Sequence, residues 1–257
     1  MTEAFLALHH RDRPLLLPNP WDAGSAKLFA SLGFEALATT SAGLAATWGR
    51  LAGNVTLDEV LAHARDIVAA TGLPVSADFE NGFADKPDDV AANVRLAMDT
   101  GLAGCSVEDF TRDRDEPIYD LAFAAERVAA AAEVAHAGGA RFVLTARAEN
   151  YLHGRADLAD TIARLHAFQE AGADVLYAPG LGNVDDIRSV VDAVDRPVNV
   201  LALPGAPDVE TLTSVGVARI CVGSAFSYVA YGAVMDAAVE LRDQGTYGFW
   251  KTAGTGA

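Results

Sequence analysis

The chain has 257 residues, of which 51% are hydrophobic and 21% are charged. This balance is typical of a globular protein with a substantial core, and it excludes a disordered chain. Acidic residues outnumber basic ones by 35 to 19, and the resulting formal net charge of −16 argues against nucleic acid or an anionic membrane as a partner.

The two cysteines, Cys105 and Cys221, each lie in a short apolar run that is typical of a buried strand. We therefore expect buried free thiols in a reducing compartment rather than a disulfide. The first ten residues lack the basic segment and apolar core of a secretion signal, and no apolar run reaches membrane-spanning length. These features predict a cytoplasmic protein.

Short strand-like runs alternate with amphipathic stretches along the chain, which predicts repeated βα units around a parallel sheet. Eight strands are predicted, at residues 15–17, 36–40, 75–78, 104–108, 142–146, 175–177, 198–201 and 220–222. This number and the chain length indicate an α/β protein with a (β/α)8 TIM barrel. We expect a single domain over residues 1–257, with a short C-terminal tail from about residue 245.

The helices between these strands carry recognisable end signals. Thr56 and Glu59 form a Thr-x-x-Glu capping box, which predicts that a helix begins there. Glycine suits the left-handed residue that ends a helix, and it precedes five of the strands: Gly33, Gly72, Gly101, Gly172 and Gly216. After the eighth strand, residues 227–244 predict one long helix.

Two acidic motifs close the third and fourth predicted strands. Asp78 is the last residue of the third strand, and Glu80 lies two positions beyond it. Glu108 is the last residue of the fourth strand, and Asp109 follows it. Neighbouring parallel strands would bring Asp78, Glu80 and Glu108 together, and packed carboxylates need a cation or a base to offset their charge. The alternative from spacing alone is that they cap the helices that follow.

Other polar residues also fall where strands of the predicted barrel end, which is where such barrels hold their active sites. Ser41, Ala42 and Gly43 follow the second strand, and their backbone N–H groups suit an anion. Arg147 follows the fifth strand and can clamp a carboxylate with two hydrogen bonds, and Asn199 lies on the seventh. This set favours a small anionic substrate chelated to a metal.

These residues resemble the isocitrate lyase and phosphoenolpyruvate mutase superfamily. The matching segments run in order from about residue 17 to residue 199, and no single one of them is specific. They are Pro-Trp-Asp-Ala-Gly-Ser-Ala at 20–26, Thr-Ser-Ala-Gly at 40–43, Ala-Asp-Phe-Glu-Asn-Gly-Phe at 77–83, Val-Glu-Asp at 107–109, Thr-Ala-Arg-Ala-Glu at 145–149 and Glu-Ala-Gly-Ala-Asp at 170–174.

The resemblance implies a site for Mg²⁺ held by Asp78, Glu80 and Glu108, and Mn²⁺ remains an alternative because oxygen ligands suit both ions. It further implies that Arg147 contacts the carboxylate of a small 2-oxo or 2-hydroxy acid, while the turn at Ser41, Ala42 and Gly43 supplies backbone donors. The chemistry shared by that superfamily passes through a metal-stabilised enolate.

The loop at residues 109–119 departs from the superfamily pattern. It contains no Cys, Lys or His, whereas isocitrate and methylisocitrate lyases carry a cysteine there as proton donor. We therefore exclude those two activities. Arg112 and Arg114 in this loop are candidates to reach over the site, and Tyr119 and His153 are candidate proton donors.

The sequence predicts a Mg²⁺-dependent carbon–carbon lyase or decarboxylase for a small 2-oxo or 2-hydroxy (di)carboxylic acid, with Arg147, Tyr119 and Arg112 as catalytic residues. Two alternatives remain open. One is a phosphonate-processing mutase or hydrolase of the same superfamily, and the other is a non-catalytic barrel that binds a 2-oxo acid. We also expect a homo-oligomer, either a dimer or a tetramer.

Overall fold

The computed structural model describes residues 2–139 and 141–256, and eight parallel strands form its centre. The strands are β1 (Leu15–Leu17), β2 (Leu37–Ala38), β3 (Val75–Asp78), β4 (Gly104–Glu108), β5 (Val143–Arg147), β6 (Val175–Tyr177), β7 (Val198–Leu201) and β8 (Arg219–Cys221). Their order is β1-β8-β7-β6-β5-β4-β3-β2, and a hydrogen bond of 3.1 Å from the N–H of Ala38 to the C=O of Pro18 links the two ends. The predicted (β/α)8 barrel is confirmed.

Helices follow the strands around the outside of the barrel. Their bounds are α1 (Thr2–Ala7), α2 (Ala23–Ser31), α3 (Ser41–Thr47), α4 (Leu57–Ala70), α5 (Pro87–Met98), α6 (Leu121–His136), α7 (Leu158–Glu170), α8 (Val184–Ala193), α9 (Val209–Ser214), α10 (Ala225–Gln244) and α11 (Trp250–Gly256). Among the described residues, no helix combines the length and apolar character needed to cross a bilayer.

Two apolar clusters stabilise this arrangement. The larger packs the inner faces of the helices against the strands, and Ile67, Leu144 and Phe168 are almost completely buried in it. The smaller joins Phe5 of α1 to residues near the N-terminal ends of the strands, such as Leu15 and Val143. Because α1 fills that end, the opposite end of the barrel is the one left for a site.

Several local predictions are confirmed. The capping box at Thr56 and Glu59 is present, and Gly33, Gly101, Gly172 and Gly216 have positive φ angles. Gly72 does not, because Thr71, the residue that caps the end of α4, already has extended backbone. Both cysteines are free and buried.

Other boundaries differ from the prediction. The second strand ends at Ala38, because Thr40 caps α3 by accepting a hydrogen bond from the N–H of Gly43, so that Ser41, Ala42 and Gly43 form a helical first turn. The fifth strand runs one residue further and the eighth begins one residue earlier, which places Arg147 and Arg219 within strands. Within the predicted tail, a short helix, α11, starts at Trp250.

Candidate active site

A cavity of about 860 Å³ opens at the C-terminal ends of the strands. Its charged side comes from β3, β4, β5 and the residues just after them: Asp78, Glu80, Glu108, Arg112, Arg147 and Glu149. Because these strands are neighbours in the barrel, residues 69 positions apart in sequence, such as Asp78 and Arg147, hydrogen-bond directly. The structure therefore brings Asp78, Glu80 and Glu108 into one cavity with Arg147, as the sequence predicted.

Arg147 lies at the centre of the charged side. Its guanidinium donates from Nη1 to Asp78 Oδ1 at 2.8 Å and from Nε to Glu149 Oε1 at 2.8 Å, and its Nη2 lies 3.2 Å from Glu108 Oε2. Burial opposes the charged form, but Glu149, Glu108 and Asp78 together raise the pKa of Arg147 well above its ordinary value. Arg147 is therefore a permanent cation among carboxylates.

Asp78 connects this arginine to the start of α3. Its Oδ2 accepts a hydrogen bond of 2.9 Å from the backbone N–H of Ser41, while its own N–H donates to Thr39 Oγ1 at 3.0 Å. Ser41 and Ala42 line the cavity, and the N–H of Ala42 lies in the first helical turn, where it has no intrahelical acceptor. Gly43 does not line the cavity, and its N–H donates to Thr40.

Glu80 is held under strain and is only partly paired. Its φ angle is +45°, in the left-handed region that residues other than glycine rarely adopt. Its Oε2 lies 3.4 Å from Arg112 Nη2, but its buried Oε1 has no hydrogen-bond partner among the described residues. Burial, with a contribution from Asp78, raises the pKa of Glu80 to about 7.

The donor set at the charged side fits a hard divalent cation in its chemistry. Burial, reinforced by Glu149, Asp78 and Glu80, raises the pKa of Glu108 well above its ordinary value, although Arg147 opposes that shift. Negative charge is thus under-compensated here, and the unpartnered Oε1 of Glu80 supplies a free ligand atom. Among the described residues, no three metal-ligating side chains are grouped closely enough to hold an ion. Arg147 and Arg112 contact these carboxylates instead.

Asp109, which forms a sequence pair with Glu108, does not line the cavity. Its Oδ1 accepts from the N–H of Glu149 at 2.8 Å, and its Oδ2 accepts from Arg164 Nη1 at 3.1 Å. Burial raises the pKa of Asp109 to about 6, against the opposing effects of these two partners. Asp109 therefore braces the segment after β5 instead of binding a ligand.

Glu149 and His153 both line the cavity. The sequence named His153 as a candidate proton donor and assigned no site role to Glu149. The ring of His153 stacks on Phe110, with ring centroids 3.8 Å apart, and its Nε2 lies 3.7 Å from Glu149 Oε2. The remaining oxygen of Glu149 accepts from Arg147. The four-residue spacing of Glu149 and His153 just after a strand was the available signal.

The two catalytic candidates in the loop after β4 have different locations. Arg112 lines the cavity, and its Nη2 donates to the carbonyl of Gly53 while contacting Glu80. Tyr119 does not line the cavity: its hydroxyl donates to Asp85, and its ring lies 4.3 Å from the guanidinium carbon of Arg127. Arg127 in turn donates to the carbonyl of Glu108, so Tyr119 belongs to the support of the site.

The floor of the cavity contains a second buried arginine. Arg219 donates from Nε to Asn199 Oδ1 at 2.9 Å and from Nη2 to Thr145 Oγ1 at 3.1 Å, and its Nη1 lies 3.3 Å from His9 Nε2. Asn199 lines the cavity as predicted, but its carboxamide is engaged by Arg219 and by Cys221 Sγ at 3.3 Å. The sequence placed Arg219 before its strand and so missed its position in the barrel.

Comparison with known proteins gives the family context. The family model described as phosphoenolpyruvate phosphomutase matches residues 5–242. A solved lyase or mutase candidate from Burkholderia cenocepacia is 52% identical, with a TM-score of 0.95, over 97% of this chain and 90% of that chain.

Two relatives with named activities are more distant. The 2-methylisocitrate lyase of Escherichia coli is 29% identical over 206 residues, which are 76% of this chain and 68% of the lyase. The structure of oxaloacetate acetylhydrolase in complex with its product oxalate is 26% identical, with a TM-score of 0.86, over 96% of this chain and 88% of that chain.

Proposed function

This chain belongs to the phosphoenolpyruvate phosphomutase family of lyases and mutases, as its motifs predicted, and we propose that it cleaves or decarboxylates a 2-oxo or 2-hydroxy acid with the help of Mg²⁺ or Mn²⁺. The observation that carries this proposal is the convergence of Asp78, Glu80 and Glu108 with Arg147 in one cavity, where Glu80 Oε1 is buried without a partner. The structure of oxaloacetate acetylhydrolase in complex with its product oxalate supports a substrate that carries a carboxylate next to an oxo group.

The cation would be held by Asp78, Glu80 and Glu108. Bound there, it supplies a Lewis acid that stabilises negative charge developing on the oxygen next to the substrate carboxylate. Mg²⁺ and Mn²⁺ both suit oxygen ligands, so the proposal covers either ion.

Arg147 binds the substrate carboxylate in this proposal. Its two Nη groups contact Asp78 and Glu108, and a cation held by those carboxylates would leave both groups for the substrate. Glu149 keeps the guanidinium oriented through Nε, so the two Nη groups can form a bidentate pair with a carboxylate. The N–H of Ala42 is a further donor on the same side of the cavity.

His153 moves the proton. When the carbon–carbon bond breaks, its electron pair stays on one carbon of the substrate, and that carbon must be protonated. His153 lines the cavity, and Phe110 and Glu149 hold its ring, whereas the hydroxyl of Tyr119 is engaged by Asp85. Arg112 Nη2 lies 3.4 Å from Glu80 Oε2 at the cavity, where its positive charge offsets the negative charge of the carboxylate. We do not propose cleavage of isocitrate or methylisocitrate, because residues 109–119 contain no cysteine.

The proposal is tested by incubating the purified protein and Mg²⁺ with oxaloacetate, 2-alkylmalates and phosphonopyruvate, with 2-oxo acid and inorganic phosphate measured as products. We expect release of pyruvate or another 2-oxo acid from oxaloacetate or a 2-alkylmalate. A chelator and the Asp78→Ala variant should each abolish this release. The matched control is Asp88→Ala, an exposed carboxylate on α5. Phosphate release from phosphonopyruvate would favour the phosphonate alternative, and oxalate binding without any turnover would favour a non-catalytic barrel.

We also propose that the protein forms a homo-oligomer in the cytoplasm. Val229, Val234 and Met235 on α10 are each more than 60% exposed, and Trp250 on α11 is 68% exposed. Apolar side chains concentrated at one end of the chain favour association with another copy. Light scattering on the purified protein should give the mass of a dimer or a tetramer.

A further inference from the structure

The cavity has two unlike sides, which come from opposite halves of the barrel. The charged side comes from β3 to β5, whereas β7, β8, β1 and the start of α10 contribute an apolar wall. We define this apolar wall as six of the lining residues: Leu17, Leu201, Leu203, Pro204, Val222 and Tyr228.

The volume exceeds what a small acid fills. The cavity of about 860 Å³ falls within the range of about 300–1,000 Å³ that encloses drug-sized ligands, which bury most of their surface against apolar side chains. Oxalate or oxaloacetate bound at Arg147 would leave the apolar wall facing water. Exposed apolar surface that is continuous with a polar binding group is typical of a ligand that carries both characters.

The polar groups of the floor beneath the apolar wall hydrogen-bond to one another. Arg219 donates to Asn199 and Thr145 and contacts His9, and Asn199 also bonds to Cys221. Three of the five N–H groups of the buried guanidinium thus have neutral partners within the protein, and the charged analogue described below tests whether an anion takes the remaining two.

We propose that the substrate is a 2-oxo or 2-hydroxy acid with a bulky apolar substituent, aliphatic or aromatic, that packs on the apolar wall while its acid group binds at Arg147. This inference rests on the proposed function, whose acid group it extends. The substituent displaces water from Leu203 and Val222, and each buried methylene stabilises the complex.

The test uses N-alkyl oxamates, which keep an oxalate-like head and carry chains of increasing length. Their affinities are measured by calorimetry in the presence of Mg²⁺, alongside oxalate. We expect the affinity to rise about fourfold for each methylene from N-methyl to N-butyl, as expected for about 0.8 kcal/mol per buried CH₂. Oxalate that binds while longer chains bring no gain would overturn this inference and leave the proposed function standing. Failure of oxalate itself would count against the proposed function.

A charged analogue separates this inference from an anion site at Arg219. N-(3-carboxypropyl)oxamate has a chain similar to that of the butyl compound but ends in a carboxylate. We expect it to bind at least tenfold more weakly than N-butyl oxamate. Tighter binding of the carboxypropyl compound than of N-butyl oxamate would show that Arg219 receives an anion. That result would overturn the inference of an apolar substituent.

Variants of the apolar wall complete the test. Leu203 is 40% exposed, so Leu203→Ser should fold, and we expect it to lower the ratio of N-butyl oxamate affinity to oxalate affinity by threefold or more. The matched control is Leu96→Ser, an exposed leucine on α5 outside the cavity, which should leave the ratio unchanged. An unchanged ratio in Leu203→Ser would overturn the role assigned to Leu203. If the molar mass of that variant also changed, Leu203 would lie in a contact between copies.

Discussion

Arg147 on β5 donates a hydrogen bond of 2.8 Å to Asp78 on β3, across the barrel strand that carries Glu108. Its other Nη group lies 3.2 Å from Glu108, so a single guanidinium spans two of the three candidate metal ligands. A cation and a substrate carboxylate would divide these partners between them. Arg147 and a cation would thus compete for Asp78 and Glu108, and the predictions below test this competition and the roles of the residues around it.

Arg147→Lys keeps the positive charge but loses the planar pair of donors. We expect kcat/KM to fall about 100-fold, in line with the loss of hydrogen bonds to charged groups worth about 1.5–3 kcal/mol. Oxalate affinity, measured by calorimetry, should fall in parallel. Arg155→Lys, at an exposed arginine of the same segment, is the control. Unchanged oxalate affinity in Arg147→Lys would contradict the assigned role.

Glu80→Gln should have opposite effects with and without metal. Because burial raises the pKa of Glu80 to about 7, the carboxylate is ionised at pH 8 at a cost to the folded state. Without metal, the variant should therefore melt a few degrees higher than the wild type at pH 8. With Mg²⁺ the order should reverse, since the variant loses a charged ligand. Glu126→Gln, at an exposed position on α6, should melt like the wild type in both conditions.

His153→Gln and Tyr119→Phe distinguish the two proton-donor candidates. Removing the imidazole should lower kcat by about 100-fold or more, a typical contribution of general acid–base catalysis. Tyr119→Phe removes only the hydroxyl that donates to Asp85, and we expect kcat to stay within about threefold of the wild type. Steady-state kinetics with the best substrate decide between them. A large loss in Tyr119→Phe alone would reverse the assignment.

Two carboxylates contact Arg164, and their removal should have unequal effects on stability. Asp109 is buried, so Asp109→Ala should lower the free energy of unfolding by about 3 kcal/mol, since it leaves Arg164 with one buried partner fewer. The Asp160 side chain is 37% exposed, and Asp160→Ala should cost about 0.5 kcal/mol. Urea unfolding of both variants measures the difference, and equal losses would count against Asp109 as a brace.

His9 should make stability depend on pH. Burial, together with Arg219, lowers the pKa of His9 from 6.5 to about 3, so the unfolded chain binds a proton that the folded protein does not. The contribution to stability is fully present above pH 6.5 and is lost as the pH falls toward 3. Between pH 6.5 and 5 the loss should be roughly 1.5 kcal/mol.

His9→Gln provides the comparison for this effect, because its neutral amide can still accept from Arg219. Wild type and variant are compared by urea unfolding at several pH values. The difference between their unfolding free energies should shift against the wild type as the pH falls. A difference that stays constant from pH 7 to 5 would contradict the effect of burial on His9.

Much of the fold was predictable because its signals are local. Five of the eight strands have the predicted bounds, and the Thr56 capping box lies within one turn of helix. The bounds of β5 and β8 differ by one residue, because hydrogen bonds to neighbouring strands decide where a short strand ends. That single residue decided whether Arg219 belonged to the barrel interior.

The sequence by itself determined the barrel and the position of Asp78, Glu80, Glu108 and Arg147 at one end of it, because parallel strands place their C-terminal residues on the same rim. Only the tertiary structure decided that Asp109 turns to Arg164, that Tyr119 turns to Asp85 and that His153 faces the cavity. These orientations depend on packing between residues distant in the chain. Periodicity and spacing carry no information about such contacts.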